Sequence, residues 1–286
     1  MSGRLNYEAR ENKETIMSES NSELVEKLLS KPDIHQQWAS GYRTSENESF
    51  FEQAFDYIVR VLQPAEGATF LDVGCGSCAH SVRLARRGFR VRAVDFSQSA
   101  LAMAEANIKA KGLDSKIETG RESLLDLSFP DASFDYILCW GVLMHIPDVE
   151  KAVSELSRVL KPGGTLVVSE GNMSSLEAVS VRNLKRVLGK EKASVKRAPA
   201  GMEYWKMSDD DALVTRQADI KWLAESFRTR GLTVHKRVAG QFMEAYTMVS
   251  SPSLKKLIHG FNNFWFRFVK LPQLAYGNII FLRKES

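Results

Sequence analysis

Apolar positions change their spacing at Thr69. Before it they recur at helical intervals, and residues 22–62 are predicted to form helices packed just ahead of the first strand. After it, short apolar runs alternate with amphipathic stretches. Thr69–Val73 is the first run and stops abruptly at Gly74-Cys75-Gly76. A helical pattern follows, with Val82, Leu84 and Ala85 apolar, Arg86 and Arg87 in its last turn and Gly88 as the stop. Arg90–Asp95 reads as a second strand, and Ser97 as the N-cap of a helix running to Lys111 before Gly112. A third strand begins at Lys116–Glu118, and Phe134–Trp140 is a fourth. Asp148 caps the next helix, which ends at the turn Lys161-Pro162-Gly163-Gly164, and Thr165–Glu170 is a fifth strand. Residues 171–214 are polar, basic and helical at best, and read as an insertion. Thr215–Arg230 is predicted as an amphipathic helix with Ile220, Leu223 and Phe227 on one stripe. Leu232–Val238 and Asn278–Leu282 are a sixth and seventh strand, with Ser251–Lys270 long enough for a helix between them.

Strand–helix alternation predicts an α/β domain with a mostly parallel sheet and helices on both faces. Ligands of such sheets bind beyond the carboxyl ends of the strands. That rim gathers Gly74–Gly76, Asp95, Gly120–Ser123 and Cys139–His145. The chain divides into a mobile N-terminus (1–20), an N-terminal helical segment (21–66), a ligand-binding core (67–170), and the rest of the same sheet with substrate-side insertions (171–286).

Composition adds limits. At 286 residues, 44% hydrophobic and 26% charged, disorder along the whole length is excluded. Three cysteines, Cys75, Cys78 and Cys139, form no disulfide framework and suit a reducing, cytoplasmic setting. Met1–Thr15 lacks the apolar core of a signal peptide, and no run of about 18 apolar residues suggests a membrane span. The net charge of +4 is mild but uneven. Residues 1–50 are acidic, 182–197 carry seven bases against Glu191 alone, and 251–286 carry six bases against Glu285. Such runs are either solvated faces or sites for a phosphate or an anionic membrane surface.

The glycine loop brings backbone close to a ligand or simply makes a tight strand-to-helix turn. Asp72 lies two residues before it and is predicted to face the rim, and Asp95 closes the second strand where an acid can accept ribose hydroxyls. The third glycine of a dinucleotide fingerprint is replaced by Ala79, and an acid before the loop suits an ammonium group better than a pyrophosphate. A nicotinamide-dependent dehydrogenase is thereby disfavoured.

Five segments carry a resemblance: Phe70-Leu-Asp-Val-Gly-Cys-Gly76, Val94-Asp-Phe-Ser97, Phe129-Pro-Asp-Ala-Ser-Phe-Asp135, Val142-Leu-Met-His-Ile-Pro-Asp148 and Leu160-Lys-Pro-Gly-Gly164. In this order and spacing they resemble the motifs of class I (Rossmann-like, seven-strand) S-adenosylmethionine-dependent methyltransferases, in the type 11/25-like small-molecule branch. The resemblance implies a three-layer, doubly wound seven-strand sheet whose last strand is antiparallel. An N-terminal helical lid and helical insertions after strand 5 and between strands 6 and 7 would complete it. It also implies S-adenosyl-L-methionine as cofactor. Asp72 and the backbone of Gly74, Cys75 and Gly76 would hold its methionine part, Asp95 the ribose, and Phe96 the adenine, with Trp140 and Gly141 beside it. Relatives commonly have Gly-Asp-Ala where this chain has Gly120-Arg121-Glu122, so Glu122 or Ser123 would take over the adenine contact, since arginine cannot accept a hydrogen bond. His35-Gln-Gln-Trp38 with Tyr42-Arg43 resembles the segment that folds over the cofactor mouth as a lid; alternatively, Trp38 and Tyr42 pack together on a helix.

Methyl transfer by in-line displacement needs positioning above all, and a hydroxyl acceptor gains from a general base. His145 is the first candidate, or else a histidine packed at a loop-to-helix junction; His35 and Tyr42 are second choices. Cys139-Trp-Gly-Val142 lacks the Pro-Pro-aromatic signature of amino-base methylation, and no four-ligand zinc set is present. Phe261, Phe264, Trp265 and Phe268 fall on one helical face, as a core-facing stripe or an apolar wall for the acceptor. Lys255, Lys256, Arg267 and Lys270 nearby would suit a phosphate or carboxylate on it, or a peripheral membrane contact. The expected activity is methyl transfer to a small-molecule acceptor, through oxygen, apolar and anionic. Alternatives are an RNA-directed methyltransferase using the 182–197 tract and a non-catalytic cofactor-binding regulator.

Overall fold

The first apolar run, Thr69–Val73, is strand β1 at the centre of the main sheet in this computed structural model, which describes residues 22–36, 44–189, 194–208 and 210–285. Strands β2 (Arg90–Asp95) and β3 (Ile117–Arg121) lie on one side of it, and β4 (Phe134–Trp140) and β5 (Leu160–Gly171) on the other, all parallel. The last strand, β10 (Gly277–Lys284), runs antiparallel between β5 and β9 (Leu232–Ala239). The order β3-β2-β1-β4-β5-β10-β9 reverses direction beside β1, and this opens a crevice beyond the ends of β1 and β4.

Successive strand residues feed two separate cores, as the two-residue period requires. Phe70, Leu138, Val167 and Phe281 meet helices α3 (Ser45–Leu62), α4 (Ala79–Arg86) and α5 (Gln98–Ala110) on one face. Leu71, Ile137, Leu166 and Ile280 meet α6 (Val149–Val159) and α8 (Ile220–Arg228) on the other. The predicted caps form: Ser97 Oγ accepts from the Ala100 amide, and Asp148 Oδ1 from that of Lys151.

Residues 171–214 differ from expectation. Only α7 (Leu176–Val187) is helical; the rest builds a second, antiparallel sheet of β6 (Val195–Ala198), β7 (Gly201–Met207) and β8 (Ala212–Ala218). Thr215–Ala218 therefore belongs to a strand, and α8 starts at Ile220 behind the Asp219 cap, with Ile220, Leu223 and Phe227 buried as predicted. The strands were masked because two inward positions are charged. Glu203 and Arg216 lie opposite each other across β7–β8, both buried, with Arg216 Nη2 donating to Glu203 Oε1 at 2.8 Å. At the start of β7, Gly201 has φ 145°, and a Cβ there would collide with the Gln217 carbonyl oxygen. The N-terminal helices α1 (22–29) and α2 (32–36) pack on this sheet, Val25 and Leu29 against Ala212 and Val214.

The helix expected at Ser251–Lys270 is α9 (Pro252–Phe264) continued by a π-helical turn, Trp265–Val269. Its predicted aromatic stripe does not face the core. Ile258, Asn262 and Phe266 are buried, Trp265 rests on Phe242 at 4.4 Å, and Phe264 and Phe268 point outward. Residues 1–20 and the lid residues Trp38, Tyr42 and Arg43 lie outside the described residues.

Removing Arg216 strands the buried Glu203 charge, which costs about 3–5 kcal/mol. Arg216→Leu is expected to lower the urea midpoint by that amount, and Glu203→Met in the same chain to restore much of it. A silent Arg216→Leu would show that the pair does not hold the second sheet.

Candidate functional site

Beyond β1 the chain turns through Gly74 (φ 62°), Gly76 (φ 54°) and Cys78 (φ 58°) into α4. A Cβ on Gly74 would come within 2.6 Å of the Val142 side chain, so the loop after β4 presses directly on the glycine loop. Asp95, at the end of β2, ties the turn down. Its Oδ2 accepts from the Gly76 amide at 2.9 Å and its Oδ1 from the Ser97 amide at 2.9 Å. Each oxygen keeps a second lone pair for a ligand hydroxyl. Burial raises the Asp95 pKa, against the two amides.

Asp72 is placed otherwise than expected. It does not reach the rim but sits buried beneath the loop, where Ser81 Oγ donates to it at 2.5 Å. Burial, aided by the negative charge of Asp95, pushes its pKa up to about 7.

A cavity of about 280 Å³ opens over this loop. Gly74, Cys75, Gly76, Asp95, Phe96, Glu122, Ser123, Trp140 and Gly141 all line it, so nine of the ten residues expected to hold a cofactor converge. Arg121 does not enter: its Nε donates to the Phe96 carbonyl at 3.0 Å and braces the residue after Asp95. The Glu122 carboxylate is held by the Ser128 amide and hydroxyl at 3.0 and 2.6 Å. Leu124, Leu125 and Val142 supply apolar wall that no motif signalled. Val25, Glu26 and Leu29 of α1 cover the cavity together with His35. His35 is half of a latch, its Nε2 donating to Leu29 O (2.6 Å) and Ser97 Oγ (3.1 Å).

After β4, a 3₁₀ turn (Leu143–His145) is gripped from two sides. Arg216 Nη1 donates to the carbonyls of Leu143 and Ile146, each at 2.8 Å. From β5, Glu170 Oε1 accepts from the Leu143 amide at 2.9 Å. His145 Nδ1 donates to the Val214 carbonyl of β8 at 2.8 Å. Burial, with the Arg216 charge, lowers the His145 pKa to about 4, so its ring is neutral near pH 7 with the proton on Nδ1. The packed and the functional readings of His145 thus coincide in one place.

A second cavity of about 310 Å³ lies behind this turn. Phe51, His80, Trp140, Gly141 and His145 line both cavities and form their common wall. His80 is wedged among aromatic rings, stacked on Phe55 at 5.1 Å and against Trp140 at 5.1 Å. The far side of the chamber holds Glu170, Gln241, Glu244 and Tyr276. Burial pushes the Glu170 pKa up to about 8 and that of Glu244 up to about 7. Glu170 Oε2 is buried with no hydrogen-bond partner. None of Lys255, Lys256, Arg267 and Lys270, expected to serve an anionic acceptor, lines this chamber. Among the described residues no group of three or more His, Cys, Asp and Glu is placed to hold a metal ion, and no helix is long and apolar enough to cross a membrane.

A glycine loop after β1, an acid closing β2 and a seven-strand sheet with an antiparallel last strand define the class I S-adenosylmethionine-dependent methyltransferase fold. Residues 71–168 match the family described as Methyltransferase domain. Over 118 residues the chain is 34% identical to demethylmenaquinone methyltransferase of Bacillus subtilis, covering 40% of this chain and 50% of that protein. It is 33% identical over 120 residues to ubiquinone biosynthesis O-methyltransferase of Alkalilimnicola ehrlichii, covering 41% and 47%. The chain thus spans about half the length of these curated relatives. In fold it is similar to an S-adenosylmethionine-dependent methyltransferase from Clostridium acetobutylicum, with TM-score 0.56 and 16% identity over 83% of this chain and 92% of that one. Geranyl diphosphate C-methyltransferase from Streptomyces coelicolor gives TM-score 0.53 and 16% identity over 81% and 78%.

Glu170 sets a stability signature. Its folded pKa, about 8, stands above the ordinary carboxylate value, so the native state holds the proton more tightly than the unfolded chain. Its contribution is complete below about pH 4.5 and is lost as the pH rises to about 8. The urea midpoint is expected to fall across this window, and less steeply in Glu170→Gln; equal slopes in both proteins would contradict the placement of the group.

Proposed function

We propose that the protein is an S-adenosylmethionine-dependent methyltransferase acting on a small-molecule acceptor through oxygen, in a reducing, cytoplasmic setting. One observation carries this: two cavities share a wall, one floored by the glycine loop and Asp95, the other lined by carboxyl groups, with His145 on both. The names of the relatives, for demethylmenaquinone and ubiquinone biosynthesis, support an acceptor of small-molecule type.

The residues of the first cavity fit the cofactor. When bound, S-adenosylmethionine supplies a methyl group on a sulfonium, open to in-line displacement. Gly74, Cys75 and Gly76 would hold the methionine part through backbone, with Asp72 supplying negative potential from beneath. Asp95 would take the ribose hydroxyls on its remaining lone pairs. Phe96, Glu122 and Ser123 would border the adenine, and Trp140 and Gly141 the reacting end. Residues 21–66 would act as the lid, in which His35 is a positioning residue that ties α1 to the Ser97 cap; Tyr42, the remaining candidate, would belong to the same lid.

His145 is the base we favour. With Nδ1 committed to Val214, Nε2 is the nitrogen able to take a proton from an acceptor hydroxyl. The carboxyls of Glu170 and Glu244, protonated over much of the range near pH 7, can donate hydrogen bonds to acceptor oxygens. Together with the absence of Lys and Arg from the lining, this favours an uncharged acceptor over the anionic one suggested by the sequence.

Calorimetric titration is expected to show S-adenosylmethionine binding with no binding of NADH or NADPH. Asp95→Ala should weaken that binding by about 1–3 kcal/mol; unchanged affinity would displace the ribose from Asp95. In the same chain, His145→Ala should lower kcat by about 10²–10⁴-fold while cofactor affinity stays constant. Because the ring is neutral down to about pH 4, the rate should show no histidine limb near pH 6.5.

A further inference from the structure

We infer that the outer face of α7 and α9 docks the protein on an anionic lipid surface. On α9 and its π turn, Leu254, Leu257, Phe261, Phe264 and Phe268 follow one another at intervals of three and four residues, and all are exposed. Leu257 is 69% exposed and Phe268 66%, where a solvated helix face would carry polar side chains. The inward face of the same helix is already satisfied by Ile258, Asn262 and Phe266, so the outer stripe is a second apolar face. Leu271 and Leu274 continue it.

The neighbouring helix repeats the pattern. Only Ala178 of α7 is buried, while Leu176, Leu184 and Val187 are exposed, Val187 by 83%. The two stretches are joined, since the Leu176 amide donates to the Leu274 carbonyl at 3.1 Å. Exposed apolar surface of this extent marks an interaction site.

Charge chooses the occupant. Lys255, Lys256, Arg267 and Lys270 flank the α9 stripe, and Lys185 and Arg186 occupy the last turn of α7. From Ser251 to Lys284 the chain has no Asp or Glu. A second copy of this face would set lysine and arginine against lysine and arginine with no acid to pair them. An anionic bilayer takes the apolar side chains at its boundary and the cations at its headgroups. Neither helix crosses such a layer; both would lie in its plane.

The face also borders the acceptor chamber. Leu274 is two residues before Tyr276, and the Glu177 carboxylate of α7 accepts from the Glu244 amide at 2.8 Å; Tyr276 and Glu244 both line the chamber. A bilayer under α7 and α9 thus lies next to the acceptor side of the protein and away from the glycine loop.

The test is co-sedimentation of the full chain with phosphatidylcholine vesicles and with vesicles containing phosphatidylglycerol. Binding is expected to the anionic vesicles, at least tenfold stronger than to the neutral ones, and to weaken with added salt. Leu257→Asp with Phe264→Asp and Phe268→Asp should abolish it, with the thermal midpoint and the S-adenosylmethionine affinity unchanged. Lys255→Glu with Lys256→Glu should weaken it while leaving the apolar face intact. Wild-type protein that stays in the supernatant with both vesicles overturns the inference. So does a dimer in light scattering that the triple substitution dissociates and anionic vesicles do not compete. Cofactor titration is unaffected by either result, so failure here is separable from failure of the methyltransferase reading.

Discussion

The turn after β4 is held by one buried ion pair and its surroundings, and both cavities depend on that turn. Arg216 is neutralised by Glu203 within the second sheet and spends its remaining donors on the carbonyls of Leu143 and Ile146. A guanidinium suits this work because its donors are fixed in a plane and stay charged at any physiological pH. The same strand offers the Val214 carbonyl to His145. The second sheet therefore sets the ring orientation at the partition between the cavities, although it contributes little lining of its own.

Negative charge is placed at two depths. Asp72 and Asp95 lie around the glycine loop, Glu170 and Glu244 in the chamber behind His145, and burial raises the pKa of each. Such groups exchange protons near neutrality and respond strongly to an arriving cation. The basic residues sit elsewhere, on the surface of α7 and α9, so the chain separates an acidic interior from a basic exterior.

The main sheet was legible because its strands are short, apolar and punctuated by Gly and capping residues, each with a local cause. The cofactor-side residues were legible too, because the turn chemistry at Gly74–Gly76 and the acid at Asp95 sit at strand ends. The second sheet was not legible, since Glu203 and Arg216 occupy inward positions and break the two-residue alternation. Asp72 was misjudged for a related reason: an acid at an inward strand position is tolerable only because Ser81, on α4, meets it. The chamber left no local trace, for Glu170, Glu244 and Tyr276 come from distant parts of the chain. The aromatic stripe of α9 was correctly placed on one helix, but spacing alone does not say which side of a helix the fold covers.

The π turn at Trp265–Val269 gives the C-terminal segment an adjustable phase. A π turn accommodates one residue more than the α-helix around it, and each helical residue advances the chain by about 100°. Deleting a single residue there would return the helix to ordinary winding and rotate everything after it by about that angle. Leu271 and Leu274 would leave the outer face, and Tyr276 would leave the chamber, although no residue of either site had been changed. Length at this one turn is therefore as strong a determinant of the acceptor side as any side chain in it, and chains differing here by one residue would diverge in what they accept while sharing every cofactor contact.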